Sequence, residues 1–270
     1  MRPIKDTKEL RAVQIGILDY LDTFCKEHGI RYFLVSGTLL GAVRHKGYIP
    51  WDDDIDVGVP RSDYEKLIKL FENGKNGKYV MYHFSKQPDY MYPFAKLCND
   101  ETVLKEDEGG NEFGIYIDVF PFDNMPTDES ERAKFFSEYD ALWKDLTHKT
   151  LVFKKRPGFT GFYHNMSVVY YKLRFMFTSS TSISKEIDRH AQKYDDVEDC
   201  EYAGLASWGT PLVAVKKECL TDCVQLEFEG KQYPVPKGYD GYLKAVYGDY
   251  MQLPPEEKRF HHNFQAWWKD

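Results

Sequence analysis

The run WDDDID at residues 51–56 constrains this chain more than any other stretch of it. Four carboxylates crowded into five residues repel one another unless solvent or a cation relieves them. Yet Ile55, Val57 and Val59 alternate with acidic or small residues, the period of a strand with one buried face. A strand over 54–59 has its register fixed by burying those aliphatics. Asp54 and Asp56 then share a face, about 7 Å apart along the backbone. Oxygen donors at that spacing both reach one Mg²⁺, a hard cation that prefers carboxylate and phosphate oxygens. Asp52, Asp54 and Asp56 also match the start of an EF-hand loop, but Val57 and Asp63 stand where that loop needs Gly and Glu. A solvated acidic loop is the plainer alternative for a charge run; the alternating aliphatics favour the packed strand.

A third acid follows in GIYIDVF (114–120), an apolar run with Asp118 alone in its middle. A lone buried Asp is costly unless paired or bound to metal; a strand-end Asp capping a loop is the alternative. An acid pair with a third acid from a neighbouring strand is the arrangement expected for metal-assisted phosphoryl or nucleotidyl transfer.

The surrounding pattern predicts the elements. Residues 6–28 read as an amphipathic helix with Leu10, Val13, Ile17, Leu21 and Phe24 on one face, an Asp6–Glu9 capping box and a Gly29 stop. Ile30–Val35 reads as a strand, followed by a Ser-Gly-Thr turn and a short helix around Leu39–His45. A Ser62–Glu65 capping box opens the next helix. Strands are expected at Tyr79–Phe84, Pro93–Cys98 and Gly114–Phe120, and a helix at 128–147. VQLEFEG and KQYPVP form a hairpin at Glu229-Gly230, and 239–247 a helix. Helix-strand-helix-strand order points to an α/β or α+β sheet domain with a helical remainder.

Residues 36–64, SGTLLGAVRHKGYIPWDDDIDVGVPRSDY, resemble the signature of the LicD family, which belongs to the nucleotidyltransferase-fold superfamily and is related to fukutin and fukutin-related protein. The resemblance continues in GIYIDVFPFD (114–123) and FEGKQYPVPKGYDGYLKAVYGDYMQLPPEEK (228–258) and is thin over 124–200. It implies an α+β fold: a nucleotidyltransferase-like mixed β-sheet core flanked by helices, with a helical, aromatic-rich insertion and a C-terminal hairpin-helix region. The expected organisation is a single domain over 1–270, with a core at 1–123, a basic-aromatic segment at 124–200 and a completing part at 201–270. The family's turn and acids fall on Ser36-Gly37, Asp54-x-Asp56 and Asp118.

The resemblance also implies transfer of a phospho-alcohol, phosphocholine above all, from a CDP-alcohol to a hydroxyl of a cell-surface glycan or its lipid-linked precursor. CMP would leave, and Mg²⁺ or Mn²⁺ would be held by Asp54, Asp56 and Asp118. The wider superfamily instead keeps the nucleoside phosphate and expels pyrophosphate. An NTP-dependent nucleotidyltransferase acting on a small molecule, and a catalytically silent binding module, are the alternatives. Ser36, Gly37 and Thr38 lie where a helix N-terminus would favour a phosphate. Arg44 and Lys96 are the basic residues placed at the diphosphate, against an exposed helix-end Arg and a solvent-facing strand Lys. Tyr48 and Trp51 flank the acids, with core packing the simpler role for Trp51. His45, His261 and His262 are weaker candidates for a base.

Composition excludes other classes. The net charge of −7 argues against a nucleic-acid binder. Mean hydropathy of −0.57 and the lack of a long apolar run argue against a membrane-spanning helix, and MRPIKDTKEL does not read as a secretory signal. Five cysteines without a CxxC read as free thiols in a cytoplasmic protein. A zinc site from Cys200, Cys219, Cys223 and His261 or His262 fits no standard spacing. Residues 146–185 carry seven Lys or Arg, eight aromatics and no acid, so the other 230 residues carry −14. That segment either fills a core with its aromatics or meets an anionic membrane peripherally, at the inner face.

Overall fold

The computed structural model describes residues 1–71, 74–88, 90–106, 112–155, 158–205, 213–259 and 264–270. A short strand β1 (Arg2–Ile4) precedes helix α1 (Thr7–His28), which buries the stripe its periodicity foretold. Asp6 caps α1 through the Lys8 N–H, and Gly29 closes it at φ 60°, where a Cβ would be strained. Glu9 does not complete the capping box; its carboxylate is taken by Arg2 and by the Trp268 indole N–H.

The strand expected at Ile30–Val35 shortens to β2 (Phe33–Leu34), and helix α2 begins at once, spanning Ser36–His45. Next come β3 (Asp56–Pro60) and α3 (Arg61–Leu70). No Ser62–Glu65 box forms, because Arg61 already lies in the helix and Pro60 stands at its cap. Strands β4 (Lys75–Asn76), β5 (Tyr79–Tyr82), β6 (Ala95–Glu106) and β7 (Glu112–Met125) follow, the last two much longer than expected.

β6 and β7 pair antiparallel across a register shift between Asn99 and Leu104. There the Thr102 hydroxyl donates to the Asn99 carbonyl and accepts the Ile115 N–H, standing in for the ladder. Gly114 is required opposite this bulge, since a Cβ would strike the Asn99 carbonyl.

After β7 come helices α4 (Glu129–Lys149), α5 (Gly158–Arg174) and α6 (Ser180–Ala191). They are followed by β8 (Tyr202–Gly204), β9 (Val215–Lys216), the hairpin β10–β11 (Cys223–Phe228, Lys231–Pro236), α7 (Tyr239–Tyr247) and β12 (Phe264–Trp268). The hairpin turns at Glu229 and Gly230, both at positive φ, as a two-residue connection needs.

The main sheet runs β1-β12-β6-β7-β3-β2, with β5 and β4 branching from β6 and β8 and β9 continuing from β7. β3 and β7 are parallel, the sole parallel pair among the described residues. The architecture is α+β, a mixed sheet flanked by helices, consistent with the nucleotidyltransferase-like fold.

β12 was not foreseen: it slots between β1 and β6 and joins the two ends of the chain in one sheet. The reading of 146–185 as a filled core also needs correction. Phe175 is buried with Tyr139, Leu146, Ile183 and Ile187, but Phe153, Phe159, Phe162, Tyr163, Tyr170 and Phe177 are exposed.

Candidate functional site

The acidic run is held from α1. The Arg11 guanidinium reaches the carbonyls of Ile49, Pro50 and Asp52, and the Gln14 amide donates to the Asp53 carbonyl at 2.8 Å. The strand begins at Asp56 and not at Asp54, although the Ile55 carbonyl already accepts the Asp118 N–H at 2.9 Å. Asp54 therefore lies in the loop entering β3, two residues before the buried Asp56.

Cross-strand register supplies a further neighbour for Asp56. It stands opposite Asp118 on parallel β7, and Asp118 stands opposite Lys96 on β6. Asp56, Asp118 and Lys96 thus form a row across three adjacent strands. Residues directly opposite in a sheet have side chains about 5 Å apart.

Lys96 donates to Asp118 Oδ1 at 2.8 Å, and its ammonium lies 3.6 Å from the Tyr116 ring centroid and 4.7 Å from that of Tyr92. At 3% exposure it is no solvent-facing strand lysine. Its charge is already committed to the acid row rather than held out toward solvent.

Asp56 is buried. Burial first, then Asp54, Asp118 and Asp52, push its carboxyl well above the usual carboxylate range, with Lys96 opposing. Its backbone is fixed from both sides. The Asp56 N–H donates to Thr38 Oγ1 at 2.8 Å, and its carbonyl accepts the Val35 N–H. Thr38 thus braces the acid strand.

The start of α2 carries no side-chain cap. Ser36 sits there at φ 50°, a conformation unusual for a residue with a Cβ. Its N–H donates to the buried Tyr242 hydroxyl, at 3.3 Å. A Cβ on Gly37 would come within 2.6 Å of Asp52 Oδ2, so glycine lets the helix start lie against that carboxylate.

Gly37 and Arg44 line one cavity of about 820 Å³, together with Trp51, Asp52, Tyr247 and Arg259 among others. Arg44 donates to the Tyr250 carbonyl at 2.8 Å, which fixes it at the cavity wall. The Arg259 guanidinium lies 4.7 Å from the Trp51 ring centroid.

Of the residues singled out from sequence, Ser36, Gly37, Thr38, Asp56, Asp118 and Lys96 gather around β3 and the start of α2, with Asp54 in the entering loop. Tyr48 is instead a core residue, bonded to Gln14 Oε1 and stacked under Arg11. His45 sits beside Arg44, and burial, then Arg44, lower its pKa. His261 and His262 lie outside the described residues, and with them the histidine half of the zinc reading; Cys200, Cys219 and Cys223 are free thiols. Asp52, Tyr242, Tyr247 and Arg259 were missed. Asp52 belonged to the acidic run, and Tyr242 and Tyr247 to the family-like stretch 228–258, whereas Arg259 lies just beyond that stretch.

Among the described residues, no three Asp, Glu, His or Cys side chains converge as a ready-made metal cluster. The donor chemistry nonetheless suits a hard divalent cation. Asp52, Asp54 and Asp118 all act on a buried Asp56 carboxyl, and one lysine offsets them.

The LicD/FKTN/FKRP nucleotidyltransferase domain matches residues 29–157, which contain the acid row and the start of α2. The chain is 30% identical over 273 residues to the lipopolysaccharide cholinephosphotransferase LicD of Haemophilus influenzae, covering 96% of both chains. It is 57% identical over 103 residues to an uncharacterized protein of Rickettsia prowazekii, 37% of this chain and 35% of that one. Over 67 residues it is 54% identical to the human and mouse ribitol 5-phosphate transferase FKRP, 25% of this chain and 12% of theirs. With a likeness that runs almost end to end, the chain belongs to the LicD family and is a phosphotransferase.

Proposed function

We propose that this enzyme transfers phosphocholine from CDP-choline to a hydroxyl of a lipopolysaccharide glycan or its lipid-linked precursor, on the cytoplasmic side, and releases CMP. The observation that carries the reading is the in-register pair Asp56–Asp118 next to the uncapped start of α2, whose Gly37, with Asp52, lines a cavity wide enough for a nucleotide. The Haemophilus relative, a lipopolysaccharide cholinephosphotransferase, supplies the phospho-alcohol and the acceptor class.

Asp54, Asp56 and Asp118 would hold Mg²⁺ or Mn²⁺, which when bound offsets the charge of the diphosphate. Gly37 and Arg44 bind the phosphates from the wall of the cavity. The acceptor hydroxyl attacks the distal phosphorus in line; its O–P bond forms as the bond to the CMP oxygen breaks. Asp118 takes the hydroxyl proton, and Lys96 on Oδ1 keeps that carboxylate oriented. Residues 146–185 are the part that would meet a membrane presenting such an acceptor.

Phosphorus NMR of reactions with a panel of CDP-alcohols and NTPs, with and without Mg²⁺, tests this. CMP and a phosphodiester product from CDP-choline are expected only with the cation. Pyrophosphate from an NTP would identify the nucleotidyltransferase instead, and no turnover of any donor would point to a silent module.

A further inference from the structure

Helix α5 has two apolar faces, and only one of them is used. Gly161, Val168 and, further on, Tyr171 and Phe175 follow at helical spacing and turn inward. Phe159, Phe162, Tyr163, Met166, Tyr170 and Leu173 repeat at the same spacing on the opposite side of the helix, and all are more than half exposed. Phe177, just beyond the helix, is 98% exposed. An amphipathic helix in a globular protein turns its apolar stripe to the core; this one turns a second, larger stripe to the outside.

The surrounding charge says what kind of surface would cover it. Residues 146–185 carry seven cations and no acid, in a chain whose other 230 residues carry −14. Lys155 and Lys172 are exposed, although Arg174 is partly neutralised by Asp145 of α4 at 3.3 Å. A second copy seated on this face would bring like charge against like charge. An anionic bilayer instead offers an apolar layer beneath a negative surface, matching both the stripe and its flanks. At 17 residues α5 is about 26 Å long, and among the described residues no helix is long and apolar enough to cross a membrane.

We propose that α5 lies in the plane of an anionic lipid bilayer, with the stripe from Phe159 to Leu173 at the boundary between headgroups and acyl chains. This rests on the reading of a membrane-presented acceptor only for its purpose; the physical basis is the uncovered face and its charge.

The test is co-sedimentation of the full chain with vesicles of phosphatidylglycerol and phosphatidylcholine, and with phosphatidylcholine alone. Binding is expected to the anionic vesicles at about 0.01 M salt and is weakened at about 0.5 M. Phe162→Ser with Tyr170→Ser should weaken it roughly tenfold or more, and Lys155→Ser with Lys172→Ser should weaken it at low salt. Both pairs should leave CMP release with a soluble glycan acceptor unchanged, so failure here is separable from failure of the transferase reading. Hydrogen exchange of the unaltered chain gives an independent readout: 158–174 should gain protection when anionic vesicles are added. No binding to anionic vesicles at low salt, or binding indifferent to the apolar pair, would overturn the proposal. So would a dimer in sedimentation equilibrium that the apolar pair dissociates without affecting the vesicles.

Discussion

The β3–β7 pair carries a charge cluster at each end, and the two are built on opposite terms. At the start of β3, Asp56 and Asp118 meet with Asp52 and Asp54 nearby, and Lys96 is the cation bonded into the row. At the end of β3, Arg61 is gripped by Asp123 through Nε and Nη2, meets Asp188 at 2.8 Å and Glu65 at 3.3 Å, and has Asp195 at 3.9 Å. Its side chain is only 10% exposed and lies over the Tyr64 ring. Burial alone would lower the Arg61 pKa; Asp123 and Asp188 reverse that and hold it charged.

Asp188 belongs to α6 and Asp195 to the turn after it, so Arg61 fastens the helical insertion to the sheet. One end carries a guanidinium shaped to its carboxylates, and its work is cohesion. The other end gathers acid next to the start of α2, where the proposed cation would be received.

The sharpest way to break this comparison is to remove one acid from the open end. Asp56→Asn should lower turnover by about a thousandfold or more. It should keep or raise the melting temperature of the metal-free protein, because it deletes a buried like charge. Retained turnover in a steady-state assay would show that the row is structural, like the Arg61 end.

The second effect lies at the closed end. Arg61→Met leaves Asp123, buried at 1% exposure, without its cation and should destabilise the protein by about 3–5 kcal/mol. Urea unfolding measures the loss. Because Asp56 and the cavity are untouched, kcat per folded molecule should change little. A larger fall in kcat than in stability would place Arg61 in the catalytic machinery.

Much of the open end was legible, and the closed end was not, for a reason visible in the residues. WDDDID, the lone Asp118 and the Ser36-Gly37 turn are local patterns, and the aliphatic alternation of Val57 and Val59 is one that a sheet must satisfy. Arg61 finds Asp123, Asp188 and Asp195 at sequence distances where no periodicity operates. The same holds for Arg11 on the 49–52 carbonyls and for β12, which pairs with both β1 and β6. Lys96 and Asp118 were both singled out from sequence, but not as in-register partners. For 146–185 the sequence was ambiguous for a physical reason: α5 has two stripes at helical spacing, and spacing alone does not say which is buried.

A cation should separate the two ends in solution. Mg²⁺ at ten to a hundred times its Kd should stabilise the protein by about 1.4–2.7 kcal/mol, read as a rise in melting temperature. Asp56→Asn should abolish the rise and Asp195→Asn should preserve it. A rise that survives Asp56→Asn would move the ion away from the row.

The smallest effect is a pH slope from the closed end. Burial pushes the Asp188 carboxyl up to about 6 and that of Asp195 up to about 7, with Arg61 opposing in both. An acid whose pKa is higher in the folded state than in the unfolded chain binds its proton more tightly when folded. Its contribution is fully present below about pH 4, the unfolded value, and is lost as pH rises through the folded one. Stability should therefore fall between about pH 4 and 7 from these two groups. Thermal melts of the metal-free protein at pH 5 and pH 8 should differ by a few degrees, with pH 5 the more stable. Asp56 adds a slope of the same sign from the open end, so the comparison needs a variant at each. Asp195→Asn should flatten the slope with or without Mg²⁺, whereas Asp56→Asn should flatten it only when the cation is absent. A slope that neither substitution alters would remove both acids as its source and leave the contrast between the two ends to be argued from Arg61 alone.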